Sequence, residues 1–277
     1  MNPLSSSTTV GVHGFARIAF LVVTGALGGL MSGLFGIGGG IVMVPLMIWM
    51  LRMTQRQASA TSLVAIVPSA VVGAASYMRA GDVDFAAAGL IAVGGIAGSL
   101  IGTRMLRTLP LPVLRWGFVA LLVAVAAQTA LEVPSRDATI EVSVVAAFAL
   151  VGMGLLMGVA SGLFGIGGGL IAVPGLVIGF GAGDVLAKGT SLLAMIPTAL
   201  VGTASNIHRR NVRALDGVVV GLAAVPTSIA GVQLAYLVEP RVASMLLAAL
   251  VLAAAAQLAW RAWRKQRPEA SAAPVDS

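Results

Sequence analysis

The chain has 277 residues, 58% of them hydrophobic before its 35 glycines are counted and only 10% charged, where an average soluble domain is about 25% charged. That composition excludes a water-soluble globular protein. The formal charge of +7 does not restore a nucleic-acid reading, because the basic residues are dispersed between apolar runs and gather at the C-terminus as Arg261, Arg264, Lys265 and Arg267, the pattern of a membrane orientation signal.

Residues 1–14 carry neither the basic n-region nor the small-residue cleavage site of a secretory signal and are expected to be a polar leader retained on the first helix. The apolar run from Ile18 to Met31 stops at SGLFGIGGGIVMVP, residues 32–45. A second run, Ile41 to Leu51, ends at Arg52 and Arg56; it is about 16 Å long as a helix, half of a roughly 30 Å hydrocarbon core, and predicts a half-helix. Three longer runs follow, from about Ala60 to Tyr77, Phe85 to Thr103 and Trp116 to Leu131, and each is long enough and apolar enough to cross a bilayer. A polar stretch at 132–141 closes them. The second half repeats the scheme with Val142 to Ser161, a short run Leu170 to Phe180, then Thr190 to Asn206, Gly217 to Val238 and Val242 to Trp260. The predicted fold is an all-α polytopic membrane protein of two repeats, each a broken, re-entrant helix pair plus three full transmembrane helices. Its expected organisation is a leader (1–14), repeat 1 (15–131), an external linker (132–141), repeat 2 (142–260) and a polar tail (261–277).

The repeat is explicit in the residues. Positions 161–174 read SGLFGIGGGLIAVP and match 32–45 at eleven of fourteen places with an offset of 129. The same offset pairs Thr61-Ser62-Leu63 with Thr190-Ser191-Leu192, Pro68 with Pro197, Val72-Gly73 with Val201-Gly202 and Ser76 with Ser205. If Arg17 is cytoplasmic, thirteen Lys and Arg fall on the cytoplasmic side, and Arg79, Arg136, Lys188 and Arg241 fall on the other. That positive-inside bias puts both termini in the cytoplasm, makes the 132–141 linker external and inverts the second repeat relative to the first.

Backbone that leaves helical geometry inside a membrane survives only where protein or a watery cavity covers it. GIGGG meets that description twice. Glycine accepts positive φ and lets its N–H approach a guest closely. The short helix that follows adds its free N–H groups and the positive end of its dipole, and Pro45 and Pro174 fit an early turn where a missing N–H costs little. Two such ends meeting near the midplane form an anion site. The candidate binding residues are Gly36, Gly38, Gly39, Gly40, Thr61 and Ser62, with Gly165, Gly167, Gly168, Gly169, Thr190 and Ser191.

Each candidate has a plainer reading. Small residues also let membrane helices pack closely, and Gly25, Gly28, Gly29 and Gly33 look like such a face. The Thr-Ser pairs read either as openers that cap the next helix or as anion contacts. Ser76, Ser205 and Asn206 are expected near the membrane faces, and His208, beside Arg209 and Arg210, at an interface rather than in a proton relay. Arg79 and Lys188 read as outer-face charges that are solvated or attract anions. Pro68 and Pro197 are candidate helix kinks. No P-loop or GxGxxG context surrounds either glycine run.

Paired GLFGIGGG motifs, each followed by a short Pro-containing helix and then TSL with a Pro-containing helix, resemble the TauE/SafE family of sulfite exporters, the TSUP superfamily, over about residues 15 to 260. The resemblance implies an inner-membrane permease for small sulfur-containing anions such as sulfite or organosulfonates. The partners expected are that anion, a coupling proton or ion, and the lipid bilayer, with no nucleic acid, cofactor or metal. An anion channel is the alternative. An intramembrane enzyme is a further one, but Ser32 or Ser161 would need a base that the two histidines, His13 and His208, are poorly placed to supply.

Overall fold

A computed structural model of the chain describes residues 7–131, 140, 143–207 and 213–266. The stretch 208–212, with His208, Arg209 and Arg210, all of the 132–141 linker except residue 140, and the tail from 267 lie outside the described residues, as does the side chain of His13.

All described elements are α-helices: α1 (Ser7–Phe35), α2 (Gly40–Met50), α3 (Gln55–Ala80), α4 (Phe85–Thr108), α5 (Leu111–Leu131), α6 (Val144–Phe164), α7 (Gly169–Phe180), α8 (Asp184–Ile207), α9 (Ala214–Leu237) and α10 (Pro240–Gln266). Eight are long and apolar enough to cross a membrane; α2 and α7 are the short ones. The protein is therefore an all-helical, multi-pass membrane protein. Large apolar side chains such as Val145, Phe148, Leu222 and Leu246 point outward, as a lipid-facing surface requires.

Three boundaries differ from the sequence reading. α1 does not stop at Met31 but runs on through SGLF to Phe35, so α1 and α6 are each long enough to span rather than being half-helices. The small residues that looked like a break are tolerated because a neighbouring helix packs into them. α3 begins at Gln55, behind a capping box in which Thr54 accepts from the Gln57 amide and the Gln57 side chain accepts from the Thr54 amide. α8 begins at Asp184. The two Thr-Ser pairs therefore lie inside their helices, and neither opens one. α3 and α8 continue through Pro68 and Pro197 without interruption.

Glycine faces dictate the packing. A side chain at Gly25, Gly29 or Gly33 of α1 would collide with the backbone of Val220, Ala224 or Ser228 of α9. One at Gly94, Gly98 or Gly102 of α4 would meet Val151, Leu155 or Val159 of α6 in the same way. Numbers rise together along both members of each pair, so α1 runs beside α9, and α4 beside α6, in a common direction. Small residues every fourth position bring the backbones into contact, and dispersion between close surfaces, rather than water exclusion, holds helices together in lipid. α3 runs the same way along α9, with Gly217 against Val64, Gly221 against Pro68 and the Ser228 hydroxyl donating to the Ser69 carbonyl at 3.1 Å. α3 and α8, the most buried of the eight long helices, pack on each other at the centre, and α5 pairs with α10.

Contacts between the halves recur when the halves are exchanged. Ser228 to Ser69 has its counterpart in Ser99 to Thr198, also 3.1 Å, and both residues of one pair are offset by 129 from those of the other. The short helices double back: Met50, Leu51 and Arg52 line one concavity with Ala16, Arg17 and Phe20, and Gly179, Phe180 and Gly181 line another with Ser143, Val145 and Ala149. At the first of these faces Arg17 pairs with Asp216 at 2.6 Å.

Candidate functional site

The two glycine turns cross each other in the middle of the molecule. In each, helix-compatible backbone ends where three glycines take left-handed φ: +69°, +80° and +72° at Gly36, Gly38 and Gly39, and +71°, +83° and +91° at Gly165, Gly167 and Gly168. Side-chain-bearing residues are disfavoured there by about 1–2 kcal/mol each. Space forbids them as well. A Cβ at Gly40 would strike the carbonyl of Gly165, and one at Gly169 the carbonyl of Gly36, so each short helix begins against the other half's turn. Gly38 and Gly167 both face the same two side chains, Ile66 and Met195, themselves offset by 129.

Residues 36–41 and 165–170 are buried, yet their amides are mostly unpartnered. Gly36 and Gly165 donate back to Ser32 and Ser161, and the first bonds inside α2 and α7 come from Val42 and Met43, and from Ile171 and Ala172. Between them, the N–H groups of 37–41 and of 166–170 have no acceptor among the described residues. Buried N–H groups without partners are rare, and each costs about 1–3 kcal/mol if it stays empty. The Ser32 and Ser161 hydroxyls, also buried and also related by 129, have no hydrogen-bond partner either. α2 and α7 each contribute roughly half a positive elementary charge at these ends.

The Thr-Ser pairs flank the crossing and bind the opposite half. Ser62 donates to the Gly165 carbonyl at 2.6 Å and Ser191 to the Gly36 carbonyl at 3.1 Å. Thr61 accepts from the Arg213 amide at 3.2 Å, and Thr190 from the Asp84 amide at 3.0 Å. The eight glycines thus form the two turns and the Ser62 and Ser191 hydroxyls pin them, whereas Thr61 and Thr190 are engaged with the amides that precede α9 and α4.

Several neighbours were not singled out by sequence reasoning. Ile66 and Met195 read only as apolar helix residues, although the offset of 129 links them. Lys188, read as an outer-face charge, is in fact buried and bonded to Asp184 at 2.6 Å; its Cα lies 2.6 Å from where a Cβ on Gly36 would sit. The signal was an acid four residues before a base on one helix. Arg79 is exposed, as are most charges of its kind. Ser76 bonds to the Val72 carbonyl, Ser205 to Thr103 and Arg107, and Asn206 is buried against the Gly202 carbonyl.

The family profile described as "Sulfite exporter TauE/SafE" matches residues 5–129 and 150–275. A "Probable membrane transporter protein" of Xylella fastidiosa (strain Temecula1 / ATCC 700964) is 28% identical over 262 residues, covering 89% of this chain and 97% of its own length. Another of that description, from Xylella fastidiosa strain 9a5c, is 31% identical over 67% of this chain and 74% of its own. The "Probable membrane transporter protein YunE" of Bacillus subtilis strain 168 is 26% identical over 68% of this chain and 77% of its own. No solved structure matches the chain. The duplicated glycine turns and the family match together make this chain a member of the TauE/SafE family and a multi-pass membrane transporter.

Proposed function

We propose that the protein is a secondary permease of small anions, foremost sulfur oxyanions and organosulfonates such as sulfite, and that the anion sits at the crossing of the two glycine turns. The observation that carries this reading is the set of buried, unpartnered N–H groups at 37–41 and 166–170. Two helix ends supply together roughly one positive charge, matched to one small anion, while the buried cation beside Gly36, Lys188, is bonded to Asp184 at 2.6 Å. Ser62 and Ser191 hold the turns in register, and their hydroxyls, with those of Thr61 and Thr190 beside them in the chain, can re-aim at the guest when the turns move apart. Ile66 and Met195 cover Gly38 and Gly167 from both repeats. A flexible thioether yields space readily, so Met195 is the side chain that moves on entry.

Alternating access is a motion of one repeat against the other. Inversion of the repeats is supported by direction: α1, α3 and α9 run together, α4 and α6 run together, and α4 follows α3 through a short turn at Gly81–Asp84. α6, the counterpart of α1, then runs opposite to α1. With the positive-inside count, the Arg17 face is cytoplasmic, both termini lie there, and the protein belongs in the cell inner membrane. The activity is transport without catalysis, and needs no cofactor or nucleic acid. The test is flux into liposomes of sulfite, sulfate, methanesulfonate and the neutral isostere dimethyl sulfone, with purified protein. Saturable flux of anions alone supports the reading; equal flux of the neutral molecule overturns it.

A further inference from the structure

We propose that the hydroxyls of Ser32 and Ser161 are side-chain ligands of the transported anion, one supplied by each repeat, so that each repeat carries a half-site made of its own hydroxyl and its own run of free backbone N–H groups. The inference rests on the anion reading above and adds the side chains that touch the guest.

Both hydroxyls are buried at 0% exposure, and neither has a hydrogen-bond partner among the described residues. A hydroxyl inside a helix ordinarily donates to the carbonyl three or four residues back, and in this chain Thr24, Ser69, Ser76 and Thr198 do so at 2.7, 2.9, 2.8 and 3.0 Å. Ser32 and Ser161 make no such bond. Of the buried side-chain atoms left without a partner among the described residues, these are the only two related by the offset of 129.

Helix geometry aims them at the turns. Gly25, Gly29 and Gly33 of α1 face α9, whereas Gly28 lies on the adjoining face, where a side chain would meet Met43 of α2 and where the main chain lies against Gly39. Ser32 comes one turn later on that face, about 40° round from Gly28. The Cα–Cβ bond of a helical residue tilts back toward the helix N-terminus, which carries the Ser32 hydroxyl toward the level at which Gly39 packs. α6 repeats the arrangement. Gly154, Gly158 and Gly162 face α4, a Cβ on Gly168 would meet the side chain and carbonyl of Met157, and Ser161 follows Met157 by one turn. The backbone fixes the same proximity, since the Ser32 carbonyl accepts from the Gly36 amide at 2.9 Å and the Ser161 carbonyl from the Gly165 amide at 2.8 Å.

Each hydroxyl therefore shares one continuous segment with its own turn, 32–41 in the first repeat and 161–170 in the second, and with the free N–H groups of that turn. Ser62 and Ser191 differ in both respects, being already bonded and bonded to the opposite repeat. When the repeats move apart those cross bonds break, whereas each half-site keeps its geometry. A hydroxyl bonds an anionic oxygen more strongly than a neutral one, so the pair adds grip without adding a fixed charge.

The test uses purified full-length protein and methanesulfonate, with binding measured by calorimetry and the unfolding temperature measured without ligand. Ser32→Ala and Ser161→Ala are each expected to weaken binding about tenfold, and the double variant about a hundredfold. Their ligand-free unfolding temperatures are expected to stay at or above that of the wild type, because each change removes a buried polar group that has no partner. Ser62→Ala is the contrast: it removes a bond that is made, and its ligand-free unfolding temperature falls. Wild-type affinity in the double variant, the result expected if the hydroxyls hold only water, overturns the inference. So does a loss of affinity with an unfolding temperature below the wild type's, which marks a packing role, and so does a loss in only one of the single variants, which breaks the pairing of the half-sites. Each of these leaves the anion reading standing. A wild type that binds neither methanesulfonate, sulfite nor sulfate overturns both.

Discussion

The start of α3 and the start of α8 occupy equivalent places in the two halves, and they are closed in different ways. At α3 the counterparts of Asp184 and Lys188 are the uncharged Gln55 and Ser59. Ser59 bonds to the Phe164 carbonyl, and Phe118 of α5 stacks on Phe164 with ring centroids 5.0 Å apart. At α8 the residue equivalent to Phe118 is Leu247, no ring stacks on Phe35 among the described residues, and the space is a small cavity beside a buried ion pair. One backbone plan thus carries a hydroxyl–carbonyl bond and a ring stack at one end and a buried ion pair at the other.

The largest effect is expected where the halves agree in plan but differ in what surrounds the glycine. Gly39→Val forces a β-branched side chain into left-handed backbone and into the main chain of Gly28, at about 1–2 kcal/mol for conformation and 1–3 for overpacking. Transport should be abolished. Gly168→Val carries the same conformational cost but first meets the Met157 side chain, which can move in part. Thermal unfolding in detergent should rank Gly39→Val as the more destabilised, and the reverse order would break the comparison.

Next comes the seal itself. Lys188→Met strands a buried carboxylate and is expected to cost about 3–5 kcal/mol, whereas Ser59→Ala removes one neutral bond and should cost about 1 kcal/mol. Denaturant midpoints of the two variants measure the difference directly. Equal costs would mean that the ion pair is solvated and the two ends are alike. Of the same size as Ser59→Ala are Ser62→Ala and Ser191→Ala, each removing one neutral cross-repeat bond, at about 1 kcal/mol. Ser62→Ala should cost the more of the two, since its hydroxyl also donates to the Ser59 carbonyl and its cross-repeat bond is the shorter, 2.6 Å against 3.1 Å. Arg79→Ala, at an exposed position, should change stability by less than about 0.5 kcal/mol.

The sequence made the repeat, the half-helices and the crossing residues legible because glycine in a membrane has few meanings, and a fixed offset exposes pairs that are far apart in the chain. It also marked Gly25, Gly29 and Gly33 as a packing face, though not that α9 would be the partner, since helix pairing in lipid is decided by surfaces distant in sequence. The starts of α3 and α8 were misplaced because Gln55, Arg56, Asp184 and Lys188 interrupt the apolar runs. Hydropathy cannot tell a polar residue in water from one buried against another helix. Thr54 and Gln57 did carry the capping-box pattern, and reading it would have set α3 correctly. Lys188 was assigned to the surface for the same reason; only the three-dimensional neighbour, Gly36, reveals how near the crossing it lies.

Backbone amide shifts at the turns test most directly where the anion binds. The chain contains four Ile-Gly dipeptides, ending at Gly38, Gly102, Gly167 and Gly179, so carbonyl-¹³C isoleucine with ¹⁵N glycine isolates two site amides and two internal controls in one spectrum. Titration with sulfite or methanesulfonate should shift the Gly38 and Gly167 amides together, to a common saturation, and leave Gly102 and Gly179 in place. Saturating binding that moves only the controls, or none of the four, would contradict a site at the glycine crossing.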